Sequence, residues 1–498
     1  MNREPLSNAD FALLRLDSPD NWMIVTALVT LETRLDAAQL KTVIERSMLV
    51  HKRFRQRVAL PRTPLGKAYW ETDESFNLDR HIVCVQTPLP EDQKLLEELV
   101  SRSMSVGLDF SRPLWRFYLV EHYGNRSAVV MRFHHCLADG ISMVRVLISM
   151  AQAKPDETLT GSAENPGQRS SSQNSQRSSR ELQTQQILRK LAGTGRRVLS
   201  APLALEDVFR LGASTASALG QLFLSAPEIN NTFRGRVGIP KRAAWSPAIS
   251  LEQVKFLGRA FECTVNDILL STVAGALRRY MLDPAPNSAP IDIHSFVPID
   301  LRRGARVTKG ELLLGNSFDQ PMGNRFGFAV LELPVGIDDP IQRLHKIHQS
   351  MDALKASGEA LVSYFVLNLM GSVPGKIQDL AVRFWMTKGS AVMTNVVGPS
   401  QQLYLGNAAI DTIMAWVPQS GRIGLGVSIF SYNGRIWLGV STDQGLVNNP
   451  ERIVENFLEE LHLLGAQAML RSRPLEDVLQ LPPVSTSPPG AQTLDQTI

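Results

Sequence analysis

Cysteine is scarce in this chain of 498 residues, which holds only Cys84, Cys136 and Cys263. They form no Cys-x-x-Cys pair and no even-numbered disulfide framework, so we expect reduced thiols in a cytoplasmic protein. A large excess of one charge is also missing. The 52 basic and 48 acidic residues give a formal charge of +4, which provides no argument for nucleic-acid binding.

Long apolar runs are missing as well. A membrane-spanning helix needs about 20 predominantly apolar residues. The uncharged apolar stretches 211–227 and 360–375 are shorter and are interrupted by Ser, Thr, Asn or Gln. The first residues carry acids inside their apolar run and lack the apolar region of a secretory signal peptide. We therefore predict neither a transmembrane helix nor a signal peptide.

Chain length and local composition predict the domain organisation. Single hydrophobic cores stop growing near about 250 to 300 residues, so a chain of 498 residues is expected to form two large lobes. The segment 154–186 consists mainly of Ser, Gln, Asn, Arg, Gly and Pro and predicts a disordered linker. The predicted organisation is an N-terminal lobe (1–153), the linker (154–186), a C-terminal lobe (187–480) and a disordered tail (481–498).

Strand-like and helix-like periods alternate in both lobes, as in an α/β protein. The β-branched run Met23–Leu31 predicts a strand, and the spacing of apolar residues over Asp36–Val50 predicts a helix. In the C-terminal lobe, two apolar runs, 421–432 and 435–442, meet at Asn433-Gly434. This dipeptide predicts a hairpin with a type I′ turn.

The motif that is most informative about a reaction is His134-His135-Cys136-Leu137-Ala138-Asp139-Gly140. Residues 127–133 predict a strand, and apolar spacing from residue 139 onward predicts a helix with Asp139 as its N-cap. The histidines are thus expected at a strand end, where short loops often form a site. An imidazole with a pKa near 6.5 accepts a hydroxyl proton and returns it to a leaving group. We therefore predict that His135 is a general base.

Other interpretations of the histidines remain open. Adjacent histidines on a strand point to opposite faces and no third ligand cluster is evident, so we favour no metal site. A purely structural role, satisfying core hydrogen bonds, is the better interpretation for His134, which we assign a supporting function. Cys136 alternates away from His135, and no Gly-x-Ser-x-Gly sequence occurs. A covalent acyl-enzyme is therefore not favoured.

The motif resembles the His-His-x-x-x-Asp-Gly signature of the CoA-dependent acyltransferase superfamily. Further strings are similar to those of one branch, the bifunctional wax ester synthase/acyl-CoA:diacylglycerol acyltransferase family. In chain order they are Ser111–Trp115 (SRPLW), Asn266–Leu270 (NDILL), Val297–Arg302 (VPIDLR), Gly323–Arg325 (GNR) and Thr394–Pro399 (TNVVGP). Ser111, Thr394 and Val397 depart from the usual residues, and the long linker is unusual.

The resemblance implies an α/β fold with two chloramphenicol-acetyltransferase-like lobes. Each lobe would be a mixed sheet flanked by helices, and an active-site tunnel would run between them. Acyl-CoA would enter from one side and diacylglycerol or a long-chain alcohol from the other, and no cofactor is implied. Pro113, Leu114, Trp115 and Asp267 would contact substrate, although an apolar aromatic segment is more often core.

Residue types then suggest roles around His135. Asp139 is expected to hold the loop, by capping the helix or by pairing with an arginine such as Arg302, and Gly140 to permit the turn. Asn266 is a candidate donor to the oxyanion and, with equal weight, a candidate helix cap. Gly323, Asn324, Asn395 and Gly398 shape turns in this interpretation.

Two other functions are compatible with the same motifs. One is a condensation-type acyltransferase that uses a carrier-protein thioester, and the other is a non-catalytic lipid-binding protein. The expected product and acceptor are insoluble, so we expect a cytoplasmic protein that associates peripherally with membranes or lipid inclusions.

Overall fold

The computed structural model describes residues 3–152, apart from 62, 64–65 and 87–89, and a second range, 227–471. The gaps in the second range are 229–230, 284–289, 302–323, 325, 357–362, 365, 369–383 and 385. The predicted linker (154–186) and tail (481–498) lie outside the described residues, as do Arg302, Gly323 and Arg325.

The described residues form a mixed α/β protein. Its strands are β1 (Glu4–Pro5), β2 (Ile24–Leu31), β3 (Gln56–Ala59), β4 (Tyr69–Thr72), β5 (Ile82–Cys84), β6 (Trp115–Tyr123), β7 (Arg126–His134), β8 (Ala151–Gln152), β9 (Lys241–Trp245), β10 (Ile249–Ser250), β11 (Ile293–Asp300), β12 (Phe326–Leu333), β13 (Ala391–Val397), β14 (Tyr404–Leu405), β15 (Ala408–Trp416), β16 (Leu425–Tyr432) and β17 (Arg435–Asp443). Its α-helices are α1 (Asn8–Leu14), α2 (Ala37–Val43), α3 (Gln93–Met104), α4 (Gly140–Met150), α5 (Leu251–Ala260), α6 (Val265–Leu282), α7 (Pro340–Ala356) and α8 (Pro450–Arg471). A π-helical turn (Ile44–Met48) extends α2, and 3-10 turns occupy Lys52–Arg55, Leu78–Arg80 and Met386–Lys388.

The sheet of the N-terminal lobe has the order β5-β6-β7-β2-β15-β14-β8 among the described strands. Strand β2, predicted from its β-branched run, is buried at all but one position, as expected of a central strand covered on both faces. It pairs antiparallel with β7 so that Ile24 lies opposite His134. This register brings the residues just before β2 to the end of β7, where the histidine motif begins.

Two strands of the N-terminal sheet come from the C-terminal half of the chain. Strand β15 pairs antiparallel with β2 from Ile410 opposite Leu31 to Trp416 opposite Thr26. It thereby covers an edge of β2 that would otherwise expose unpaired backbone groups. A Cβ at Gly439 on β17 would lie 2.6 Å from Cε of Met414, so the missing side chain allows β17 to approach β15 closely. The division at residues 154–186 did not predict this exchange of strands.

The sheet of the C-terminal lobe has the order β10-β17-β16-β13-β11-β12 in the described residues, and β9 also pairs with β17. The predicted hairpin is confirmed as β16–β17. Asn433 and Gly434 at its turn have φ angles of 47° and 72°, as a type I′ turn requires. Both seven-stranded sheets are flanked by helices, and β1, β4 and β3 form a separate three-stranded sheet. The predicted fold class is thus confirmed.

Helices α6, α7 and α8 pack together against the C-terminal sheet. Arg343 on α7 and Glu460 on α8 form a buried ion pair between two of these helices. No single helix of the described ranges has the length and apolar content to cross a membrane, but the pair α5 and α6, bent by 95°, meets that test when joined.

Candidate active site

The histidine motif forms the connection between β7 and α4. Strand β7 ends at His134, and α4 begins at Gly140. The Oδ1 atom of Asp139 accepts a hydrogen bond from the backbone N–H of Ser142 at 2.9 Å. The predicted N-cap is thus confirmed, and Asp139 holds the end of the loop as expected. Its alternative partner, Arg302, lies outside the described residues.

His134 is a buried structural residue. Its Nδ1 accepts a hydrogen bond from the backbone N–H of Cys136 at 3.1 Å, so in the neutral ring the proton is on Nε2. Nε2 donates to Oδ2 of Asp17 at 2.9 Å, and Oδ1 of Asp17 accepts from the backbone N–H of Met23 at 2.6 Å. Both ring nitrogens are used within the fold, which fits the supporting function predicted for His134.

His135 has a different environment. Its backbone N–H donates to the carbonyl of Met23 at 2.7 Å, which fixes the main chain just beyond β7. Its Nδ1 lies 3.1 Å from Oδ1 of Asn324. The Nδ2 group of Asn324 donates to Oδ1 of Asp10 at 2.7 Å and to the carbonyl of His135 at 2.9 Å. Because Nδ2 faces two acceptors, Oδ1 faces the ring, and Nδ1 of His135 is the protonated nitrogen.

This tautomer leaves a lone pair on Nε2 of His135. Burial lowers the pKa of the imidazole, and the negative charge of Asp139 opposes that shift. The ring is therefore neutral near pH 7 and able to accept a proton. Its centroid lies 5.3 Å from that of Phe326, so one side of the imidazole is apolar.

Cys136 is not a suitable nucleophile. The residue is fully buried, and burial raises the pKa of its thiol well above the ordinary value. Nearby Asp10 and Asp17 raise this pKa further. Since the thiolate is the reactive form of cysteine, this environment agrees with the prediction of direct transfer without an acyl-enzyme.

The structure corrects one of the two interpretations of Asn266. Thr264, not Asn266, is the N-cap of α6, and its side chain accepts from the backbone N–H of Asp267. Asn266 lies in the first turn, where its Oδ1 accepts from Nδ2 of Asn395 at 2.9 Å. This contact joins the string Asn266–Leu270 to the string Thr394–Pro399. Nδ2 of Asn266 is left as a potential donor, so the oxyanion role stays a prediction.

The expected substrate contact of Asp267 is also corrected. Asp267 is fully buried, and its Oδ2 accepts from the backbone N–H of Thr264 at 3.0 Å and from Nδ1 of His348 at 2.8 Å. It therefore completes a capping box and joins α6 to α7. A residue with no accessible surface cannot line a substrate passage.

Asp267 also belongs to a group with metal-ligand chemistry. Ligand atoms of Cys263, Asp267 and His348 lie within 4.8 Å of one another. The thiol donates to the carbonyl of Phe261 at 3.2 Å, and burial, followed by the charge of Asp267, raises its pKa. A metal binds the thiolate, and the raised pKa of Cys263 works against thiolate formation in this group.

The Pro-Leu-Trp string belongs to the core and not to a substrate surface. Pro113 is buried, and Leu114 and Trp115 are at most 1% exposed. The indole Nε1 of Trp115 donates to the carbonyl of Phe54 at 2.9 Å, and its ring stacks on His81 with centroids 4.3 Å apart. The expected substrate contacts of all three residues are therefore replaced by packing roles.

The predicted turn role of Gly140 is corrected as well. Gly140 is not among the described glycines with a positive φ angle, so its backbone conformation does not require glycine. Among the residues that the structure describes, nothing lies within 4 Å of a Cβ built at this position. The described residues therefore leave space at Gly140, beside the loop that carries His135.

Sequence reasoning missed Asp10 and Asp17 and gave Asn324 only a turn-shaping role. Ser7, which caps α1 through the backbone N–H of Asp10, was a local signal for a helix start at this point. No local signal relates Asp10 to residues 135 and 324, because these contacts join positions more than 100 residues apart.

Comparison with known proteins places most of the chain in one family. Residues 6–269 match the model of the wax ester synthase/diacylglycerol acyltransferase catalytic domain, and residues 322–465 match that of the WS/DGAT C-terminal domain. A probable diacylglycerol O-acyltransferase of Mycobacterium tuberculosis is 25% identical over 79% of this chain and 81% of its own. The O-acyltransferase WSD of Acinetobacter baylyi is 24% identical over 92% and 96%.

Solved structures show the same fold. A wax ester synthase/diacylglycerol acyltransferase from Marinobacter aquaeolei has a TM-score of 0.62 and 20% identity, covering 93% of this chain and 100% of that one. The first condensation domain of the calcium-dependent antibiotic synthetase has a TM-score of 0.58 and 14% identity, covering 96% and 98%. The two-lobed fold is thus shared with enzymes of different substrates.

Proposed function

Because this chain belongs to the wax ester synthase/diacylglycerol acyltransferase family and is an O-acyltransferase, we propose that His135 is the general base of its acyl transfer. One observation carries this proposal. The hydrogen bond from Nδ1–H of His135 to Asn324 leaves Nε2 unprotonated, and lowering of the pKa by burial keeps it so near neutral pH. The donor is a long-chain acyl-CoA, and the acceptor is the hydroxyl of diacylglycerol or a fatty alcohol.

The proposed reaction is a direct transfer. Nε2 of His135 takes the hydroxyl proton while the oxygen attacks the thioester carbonyl and forms a tetrahedral oxyanion. The carbon–sulfur bond then breaks, and the imidazolium returns the proton to the thiolate of CoA. One imidazole thus serves both proton transfers, and binding both substrates beside it lowers the barrier through proximity.

The oxyanion requires a hydrogen-bond donor, and we propose Nδ2 of Asn266. The contact between Asn395 and Oδ1 of Asn266 supports this role because it directs Nδ2 away from Asn395. Loss of one such donor typically costs about 10² to 10³ in kcat. Turnover unchanged in a folded Asn266→Ala variant would contradict the assignment.

The base is tested by CoA release from palmitoyl-CoA, followed with a thiol reagent, with hexadecanol or dioleoylglycerol as acceptor. We expect acceptor-dependent release by the wild type and a loss of about 10² to 10⁴ in a folded His135→Ala variant. Comparing the two acceptors shows which alcohol is preferred. Release unaffected by the substitution would refute the role of His135, and no release from the wild type would favour a carrier-protein thioester as donor.

We also propose that the protein works at the surface of a membrane or lipid inclusion, since both acceptors are insoluble in water. The test is flotation with vesicles that contain dioleoylglycerol. We expect the protein to rise with the vesicles. Protein that stays in the dense fraction at all vesicle concentrations would exclude this mode of access.

A further inference from the structure

The bonds around Asn324 connect three parts of the chain that are distant in sequence. Asp10 lies in the first turn of α1, His135 follows β7, and Asn324 lies two residues before the start of β12. All three are buried. A residue of the C-terminal half therefore lies between the catalytic histidine and the first helix of the chain.

The side chain of Asn324 contacts His135 at two points. Oδ1 accepts from the ring Nδ1–H at 3.1 Å, and Nδ2 donates to the carbonyl of the same residue at 2.9 Å. The ring and the main chain of His135 are thus held by one planar amide. This arrangement limits rotation of the imidazole about its side-chain torsions as well as selecting its tautomer.

Asp10 in turn holds Asn324. Its Oδ1 accepts from Nδ2 of Asn324 at 2.7 Å and from the backbone N–H of Asn324 at 3.3 Å. A carboxylate oxygen only accepts hydrogen bonds, so it excludes the flipped orientation of the amide, in which two oxygens would face each other. The orientation of Asn324, and through it the protonated nitrogen of His135, is therefore set by a residue that does not touch the histidine side chain.

We propose that Asn324, oriented by Asp10, is a positioning residue that holds His135 as its Nδ1–H tautomer with Nε2 available to the substrate. This inference rests on the proposed role of His135 as the base. It assigns to Asn324 a function beyond turn formation, and it makes the docking of α1 a condition for a competent base.

The direct test is the tautomer of His135 in the wild-type protein. Nitrogen-15 NMR of protein labelled at its nine histidines distinguishes the two ring nitrogens, and His135→Ala identifies the signal. We expect Nδ1 to carry the proton in the wild type and a mixture of tautomers in Asn324→Ala. A wild-type ring protonated on Nε2 would overturn the inference, even if His135 proved essential for turnover.

Kinetics give a second test. We expect Asn324→Ala to lower kcat about 100-fold, with the KM for palmitoyl-CoA changed less than about threefold because bulk substrate binding is untouched. Asp10→Ala should produce a similar loss. Asp10→Asn retains an acceptor for Nδ2 of Asn324 and should retain activity within about fivefold of the wild type. Equal losses in both Asp10 variants would contradict the orienting role.

Coupling between the two residues separates positioning from general destabilisation. If Asp10 acts only through Asn324, the double variant Asp10→Ala/Asn324→Ala should be no slower than Asn324→Ala alone. If the two losses in kcat multiplied in the double variant, Asp10 would not act through Asn324. Asn456→Ala is a matched control, because Asn456 is also buried and donates to the carbonyl of Ala276 in the C-terminal core. It should lower stability without changing the kcat of the folded enzyme.

Discussion

Each lobe has a polar motif that opens an apolar helix, and the two motifs are used differently. At the start of α4, Asp139 caps the helix and the preceding loop presents His135 with an unprotonated Nε2. At the start of α6, Thr264 caps the helix, and the carboxylate of Asp267 accepts hydrogen bonds from the backbone of Thr264 and from His348. Similar local signals therefore mark a reactive group in one lobe and a structural connection in the other.

The difference arises from what packs against each motif. The loop after β7 meets Asn324 and Phe326, which contact one side of the imidazole, and no residue of the described ranges bonds to Nε2. The start of α6 instead meets α7, whose histidine pairs with the carboxylate. An aspartate beside a helix start is thus no evidence of substrate contact until its neighbours are known.

Among the variants that test this difference between the two motifs, Asp267→Ala is expected to have the largest effect. The substitution leaves the backbone N–H of Thr264 and the ring of His348 without their acceptor, so we expect a loss of about 2 kcal/mol in the free energy of unfolding. Urea denaturation measures it, and Thr264→Ala, with about 1 kcal/mol for the cap alone, is the matched comparison. The folded variant should keep its kcat within about tenfold. A selective loss of turnover with normal stability would restore the substrate role.

The pH dependence of turnover tests the first motif. Burial lowers the pKa of His135, while Asp139 raises it, neighbouring His134 lowers it, and the bond to Asn324 raises it. The midpoint for protonation of His135 therefore lies below about 6.5, the ordinary value for histidine. We expect kcat/KM for palmitoyl-CoA to be constant near pH 7 to 8 and to fall with a midpoint below about 6.5.

A fall in kcat/KM with a midpoint above about pH 6.5 would contradict a buried, neutral base.

The lowered pKa of His135 also affects the stability of the protein. The unfolded chain binds a proton at this residue at a higher pH than the folded chain does, so the contribution of His135 to stability is present above about pH 6.5 and declines as the pH falls.

The smallest effect is expected in Gly140→Ala. A Cβ there meets no described residue within 4 Å, and alanine restricts the unfolded chain more than glycine, so stability should rise by about 0.5 kcal/mol. If the open space admits substrate, kcat/KM should fall severalfold as stability rises, and larger side chains should extend the trend. Unchanged kinetics with alanine, valine and leucine would show that the space is not part of the substrate path.

Local patterns predicted the elements that carry the motif. The run Met23–Leu31 became β2, and Asp139 became the cap of α4. The Asn433-Gly434 turn formed as expected. These features depend on side-chain alternation, on capping and on permitted φ angles, which operate over a few residues. The same reasoning failed for Trp115 because a family string does not distinguish a substrate surface from a core.

The sequence by itself determined the α/β class, the strand–loop–helix that presents His135, and the residue types for a base and a cap. Only the tertiary structure decided which nitrogen of the His135 ring faces Asn324, that β15 completes the N-terminal sheet, and that Asp267 is structural. The physical reason is distance along the chain. A tautomer, a strand edge and a buried carboxylate are each set by partners from other segments, and only the folded chain brings those partners within hydrogen-bonding range.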